Sequence, residues 1–175
     1  MGSATLAAGS TIDEARSQRR AFRDAYMKMI LGEPVKHPVV YAMAALYTGR
    51  DLKGGNKQLR DELANISGDD GKFSPQEAGA SKVKWCMRGW LRIYYLFHNR
   101  SPFFAGRLDK DVQAGLEEMF FNYGCYKSKV ARADLKNIWH IHGSENHDMM
   151  DFSNAYLALQ AVHGLAAYKN RKLPD

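Results

Sequence analysis

Between residues 83 and 97 the chain places Val83, Cys86, Met87, Trp90, Tyr94 and Phe97 at intervals of three and four. That is the period of an α-helix with one apolar face. A face this large and this aromatic belongs in a core rather than in water. Pro75 to His98 therefore reads as a long helix, broken by Ser101-Pro102. The same period returns at Val112, Leu116, Met119, Phe120 and Tyr123, with Asp109 as its cap and Gly124 as its stop. A last helix is expected from about Ser144 to Tyr168, through an Ala-, Leu- and Met-rich run without proline.

The first half reads more weakly. Thr11 is a natural N-cap, followed by acidic Asp13 and Glu14 and by Ala15, Phe22, Tyr26, Met29 and Ile30, with Gly32 and Pro34 as the stop. A short helix is expected from Pro38 to Tyr47, closed by Thr48-Gly49-Arg50-Asp51, then a polar helix from Lys53 to Asn65. Ile66 to Ser74 is turn-rich, and Lys127 to His142 is a basic connection without a clear period. The expected fold class is all-α, built of antiparallel helical pairs. Residues 1–10 read as a flexible tail and residues 11–175 as one helical domain.

Composition narrows the function classes. The chain is 45% hydrophobic, so it can build a core, yet no apolar run of about 18 residues could cross a membrane. The formal charge is +6, which favours polyanionic partners. Nucleic acid is the weaker choice among these, because no helix-turn-helix or comparable motif is present. Two cysteines, Cys86 and Cys125, leave the redox compartment open.

The densest chemistry is Trp139-His140-Ile141-His142-Gly143-Ser144-Glu145-Asn146-His147-Asp148. Ser144 suits an N-cap, which places Glu145, Asn146 and His147 in the first helical turn, where free N–H groups favour anions. Asp151, four residues after His147, could orient its imidazole, and Asn154 follows Asn146 and Met150 on one stripe. An amide and an imidazole together can bind a carboxylate and move a proton. Two other readings stand beside this one. A capped helix start collects polar residues without any function, and His140, His142 and His147 could form a metal site for a hydrolase. A second feature is the stripe Lys84, Arg88 and Arg92, with Trp85, Tyr95 and His98 around it. Cations and aromatic faces suit acidic sugars, and they equally suit an ordinary solvated helix face.

Gly143 to Asp148, with Trp139 before and Asn154-Ala155-Tyr156 after, resembles a motif of helical-toroid carbohydrate-active proteins of the heparinase II/III and alginate lyase type. The resemblance implies a lyase that cleaves uronate-containing polysaccharide by β-elimination and needs no metal or other cofactor. It implies that Asn146 neutralises the uronate carboxylate and that His147 assists or acts as base. Glu145, Arg88, Arg92, Trp139 and His142 would contact substrate. The family's tyrosine has no diagnostic position here; Tyr94, Tyr95, Tyr123, Tyr126 and Tyr156 are all candidates. A full toroid takes about twice this length or more. The resemblance therefore implies an N-terminal portion in contact with the remainder of a larger enzyme, acting in a secreted or periplasmic setting. The alternative is a non-catalytic helical module that binds acidic polymers.

Overall fold

The computed structural model describes residues 11–66, 80–127 and 145–171. Among these are six helices and no strand: α1 (Ile12–Gly32), α2 (Pro38–Thr48), α3 (Leu52–Ile66), α4 (Ala80–Phe97), α5 (Lys110–Lys127) and α6 (Glu145–Val162). The all-α expectation holds. The expected tail at 1–10, most of the loop at 66–74 and nearly all of the basic connection at 127–142 lie outside the described residues.

Local chemistry sets the helix ends. At α1, Thr11 Oγ1 accepts from the Glu14 N–H at 3.2 Å, while the Thr11 N–H donates to the Glu14 carboxylate at 2.6 Å. This reciprocal cap satisfies two N–H groups that a helix start otherwise leaves open. α2 starts on Pro38 and stops at Gly49, whose φ of 70° is the left-handed conformation that glycine adopts without strain. Arg107, from the segment before α5, donates to the carbonyls of Leu46 and Tyr47 at that same end and lies over the Phe104 ring at 4.5 Å. A cation on terminal carbonyls also matches the helix dipole. Asp51 does not close α2, as the sequence suggests, but opens α3. Its Oδ1 accepts from the Gly54 N–H at 2.8 Å and its Oδ2 from the Tyr41 hydroxyl at 2.7 Å.

α2 and α3 double back on one another through small residues. Ala42, Ala44 and Ala45 are fully buried, and a Cβ on Gly55 of α3 would lie 3.1 Å from the Ala45 Cβ. α4 is the central element. Its apolar face is buried as expected at Met87, Trp90, Tyr94 and Phe97, and Leu91 and Ile93 are buried as well. It packs on α2, α5 and α6. α5 runs antiparallel to α4: Tyr94 donates to Glu117 at 2.9 Å, and just past the end of α4 the Asn99 N–H donates to Gln113 at 3.0 Å. Val112, Leu116, Met119, Phe120 and Tyr123 of α5 are buried on this side. α6 returns antiparallel to α5 and so runs parallel to α4, with the Tyr95 hydroxyl on the Leu157 carbonyl at 2.9 Å.

Two expected helix ends move. Gly124 does not stop α5, which continues to Lys127; it lets α6 approach, since a Cβ there would meet the Leu159 Cγ at 2.4 Å. α6 stops at Val162 instead of Tyr168, because Gly164 takes a φ of 80° and turns the chain. The residues after that turn fold back on α5. Tyr168 packs on Phe121 at 5.2 Å between centroids, and Arg171 pairs with Glu118, which holds that carboxyl below the usual range. Burial and the nearby Glu118 push the Tyr168 hydroxyl up to about 12. α1 differs more. It packs on α2, but none of its residues is buried, and Phe22 is 75% exposed.

One buried polar residue joins the halves. Asn56 is 2% exposed, donates to the Leu52 and Arg107 carbonyls at 2.9 Å each, and accepts from the Asp109 N–H at 2.8 Å. It ties α3 to the start of α5. Nearby, Arg60 of α3 pairs with Asp109 at 3.0 Å and with Asp111 at 2.5 Å.

Gly124→Ala gains at most about 1 kcal/mol of helix propensity but overpacks against Leu159, which typically costs about 1–3 kcal/mol. Net destabilisation is expected in urea unfolding. Combined with Leu159→Ala, the two changes should cost clearly less than their sum; simple additivity would refute the contact. Asn56→Asp sets a carboxylate against two carbonyls and should cost about 2–4 kcal/mol at neutral pH. The loss should shrink on acidification as the carboxyl takes up a proton, and a loss independent of pH would count against this geometry.

Candidate functional site

The parallel course of α4 and α6 leaves an open groove of about 990 Å³ between them. Leu91, Tyr95 and Leu96 line it from α4, and Met149, Met150 and Leu157 from α6. Its polar lining is Arg88, Arg92, Ser153 and Asn154, with no carboxylate or imidazole among the described lining residues. Arg88 and Arg92 are both exposed and stand one turn apart on α4, so they repel each other weakly and concentrate positive charge on one wall.

The register of the two helices fixes the direction of the groove. Tyr95 faces Leu157, so Arg88, about two turns earlier on α4, lies toward Met149 and Met150. The first turn of α6, residues 145–148, continues from that end. The structure thus brings Arg88 and Arg92 beside the helix that carries Glu145, Asn146 and His147 in its opening turn, the position expected from Ser144-Glu145-Asn146-His147. The side chains of Glu145, Asn146 and His147 lie outside the described residues, as do Trp139, His140 and His142 entirely. Lys84 and Trp85 are on α4, with side chains outside the description.

Asn154 is the groove's unusual member. It is 4% exposed, and its Nδ2 has no hydrogen-bond partner among the described residues. It stands on the stripe that continues as Ala158 and Ala161, both buried, where an apolar residue would pack without loss. A buried amide donor left open typically costs about 1–3 kcal/mol. Ser153 beside it is satisfied locally, donating to the Met150 carbonyl at 3.1 Å.

The other candidates are placed as follows. Tyr95 lines the groove, but its hydroxyl is spent on the Leu157 carbonyl, and burial raises its pKa. Tyr94 is in the core, with its hydroxyl on Glu117. Tyr123 is buried in α5, and Tyr156 is 64% exposed on α6. His98 sits beyond the end of α4, outside the groove lining; it stacks on Tyr94 at 4.8 Å, and its Nδ1 accepts from the Arg100 N–H at 3.1 Å. Burial, with the charge of Arg100, lowers its pKa. Cys125 is a free buried thiol whose pKa burial raises. Among the described residues no three His, Cys, Asp or Glu side chains converge as a metal site, and the His140, His142 and His147 alternative lies outside them. No described helix is long and apolar enough to cross a membrane.

Sequence reasoning found Arg88 and Arg92 from their spacing. It put Asn154 on the right surface but gave it no role. The available signal was an amide set between Met150 and Ala158 on a stripe that is apolar from there on. The apolar walls were hidden because Leu91, Met149 and Leu157 look like any other core residues until two helices are set side by side. Comparison with protein-family models, characterised proteins and solved structures finds no match to the chain.

His98 supplies a pH test of this packing. Its folded pKa lies below the ordinary 6.5, so the fold prefers the neutral ring. That contribution is full above about pH 6.5 and is lost as pH falls toward the depressed value. Thermal unfolding should show stability dropping over this range in the wild type and a shallower drop in His98→Phe, which keeps the stack. Equal slopes would mean that His98 is not the group responsible.

Proposed function

We propose that this chain binds and cleaves uronate-containing polysaccharide by β-elimination, with the α4–α6 groove as part of its substrate cleft. The observation that carries the reading is the placement of two cations, Arg88 and Arg92, without an acidic partner among the described residues, along a groove that continues from the opening turn of α6. That turn holds Asn146 and His147, the pair suited to a carboxylate and its neighbouring proton.

In this scheme Arg88 and Arg92 attract the polyanion, and the apolar walls take the C–H faces of the sugar rings. The Asn146 amide donates to the uronate carboxylate, disperses its charge and so raises the acidity of the C5 proton. His147 removes that proton. The C4–O bond breaks as the C4–C5 double bond forms, and the departing oxygen takes up a proton. Glu145, Trp139 and His142 contact the sugar hydroxyls and ring faces near the same turn. The helical pairs described here are the unit from which toroids are built, and the proposal includes contact with further helices of a larger enzyme. A secreted or periplasmic setting follows from the substrate class.

The second reading is a non-catalytic module for acidic polymer. The specific observation in its favour is that none of the described groove residues is a carboxylate or imidazole. Incubation with alginate, glucuronan, ulvan and glycosaminoglycans, followed by ultraviolet absorbance of the unsaturated product, decides between them. Turnover by the wild type that collapses in His147→Ala, with affinity kept, is the expected result. Arg88→Ala and Arg92→Ala should raise KM and flatten its salt dependence, since screened charges capture the polymer. Retention on a polyuronate column without product from any polymer would leave the binding module, and no retention would remove both.

A further inference from the structure

We infer that Asn154 is a ligand-binding residue of the groove, whose Nδ2 donates to a carboxylate oxygen of the bound acidic sugar between the positive charges of Arg88 and Arg92. The inference rests on the reading above for the identity of the ligand. Its warrant is independent of the α6 opening turn.

Asn154 occupies a core position yet is not satisfied as core polar groups are. Asn56 shows what this fold does with a buried amide that serves structure: every hydrogen-bonding edge it presents is matched by backbone. Asn154 is also buried, but its Nδ2 has no partner among the described residues, and the residue lines the groove. The natural complement of a buried donor with no partner is an oxygen acceptor, and because Nδ2 is itself screened from solvent, an acceptor in the groove meets it once the lining side chains give way. The charges beside it narrow the acceptor further. Arg88 and Arg92 favour an anion, and none of the described lining residues is a carboxylate that competes for them. A carboxylate oxygen on the amide, with guanidinium charge close by, gives a charge-assisted bond in a partly desolvated site. The remaining walls, Leu91, Leu96 and Leu157, offer no hydrogen bonds, so they suit the C–H surface of the ring that bears the carboxylate.

The proposal makes stability and binding move in opposite directions. Asn154→Leu removes an unsatisfied donor and places a side chain of similar size on an apolar stripe. The melting temperature should rise by about 2–6 °C. Affinity for alginate and hyaluronan oligosaccharides of defined length, measured by titration calorimetry, should fall about tenfold or more. Asn154→Asp, which turns the donor into an acceptor and adds like charge, should bind more weakly still at neutral pH. A leucine variant that keeps wild-type affinity overturns the inference and leaves the wider reading intact. A leucine variant less stable than wild type overturns it too, since the amide would then be serving the fold. If the wild type binds none of these oligosaccharides, the polyuronate reading fails and this ligand assignment fails with it.

Discussion

The burial of α4 on several sides is the constraint from which the rest of the arrangement follows. Trp90, Tyr94 and Phe97 fill one face, while Leu91 and Ile93 are enclosed by other neighbours. A helix that is apolar over much of its circumference must be surrounded, and here α2, α5 and α6 surround it. Once α5 runs antiparallel to α4 and α6 antiparallel to α5, α4 and α6 have to be parallel. α4 and α6 meet through Tyr94 and Tyr95, and the groove runs along the same pair of helices, lined by Leu91 and Leu96 on one side and by Met149, Met150 and Leu157 on the other. The site is thus a consequence of packing order. It requires close contact between α5 and α6 at Gly124 and Leu159, because a wider α5–α6 spacing would tilt α6 and change the width of the groove.

Small residues and buried hydrogen bonds supply what large apolar side chains cannot. Ala42, Ala45 and Gly55 let α2 and α3 approach until backbone nearly meets side chain, which leaves little room for error in register. Asn56 and Arg107 then hold the junction between α3 and α5 by satisfying carbonyls and an N–H that would otherwise be open. Such groups add direction, whereas apolar burial alone is indifferent to small rotations of one helix on another.

Most of the fold was legible because periodicity is a property of the chain alone. The faces of α4 and α5, the Thr11 cap and the all-α class all follow from spacing and cap chemistry. Tertiary contacts explain what was misread. Gly124 looks like a helix stop because glycine is usually placed for its backbone freedom; here it is placed for its size, a fact that depends on Leu159 thirty-five residues later. Asp51 looks like the end of one helix because the three-residue turn does not reveal which neighbour it caps. α1 carries apolar and aromatic residues at Phe22, Tyr26 and Met29, yet all three stand exposed while α1 packs on α2. At the site, the arginine stripe was visible as spacing, while the open amide of Asn154 was not, because satisfaction is a property of surroundings.

The electrostatic case for an acidic ligand rests on location more than on the total of +6. Elsewhere on the surface several basic residues have partners: Arg60 holds two aspartates, Lys57 holds Asp61 and Arg171 holds Glu118. These pairs cancel at short range and leave little field for a passing anion. Arg88 and Arg92 line a groove with no carboxylate among its described lining residues, beside apolar walls, so none of those residues cancels their charge. An open amide lies between the same walls. Charge without compensation, a donor without an acceptor and an apolar surface without cover are each unfavourable for an empty protein. Their meeting in one groove is what supports the proposed ligand, a carboxylate on an apolar-faced ring.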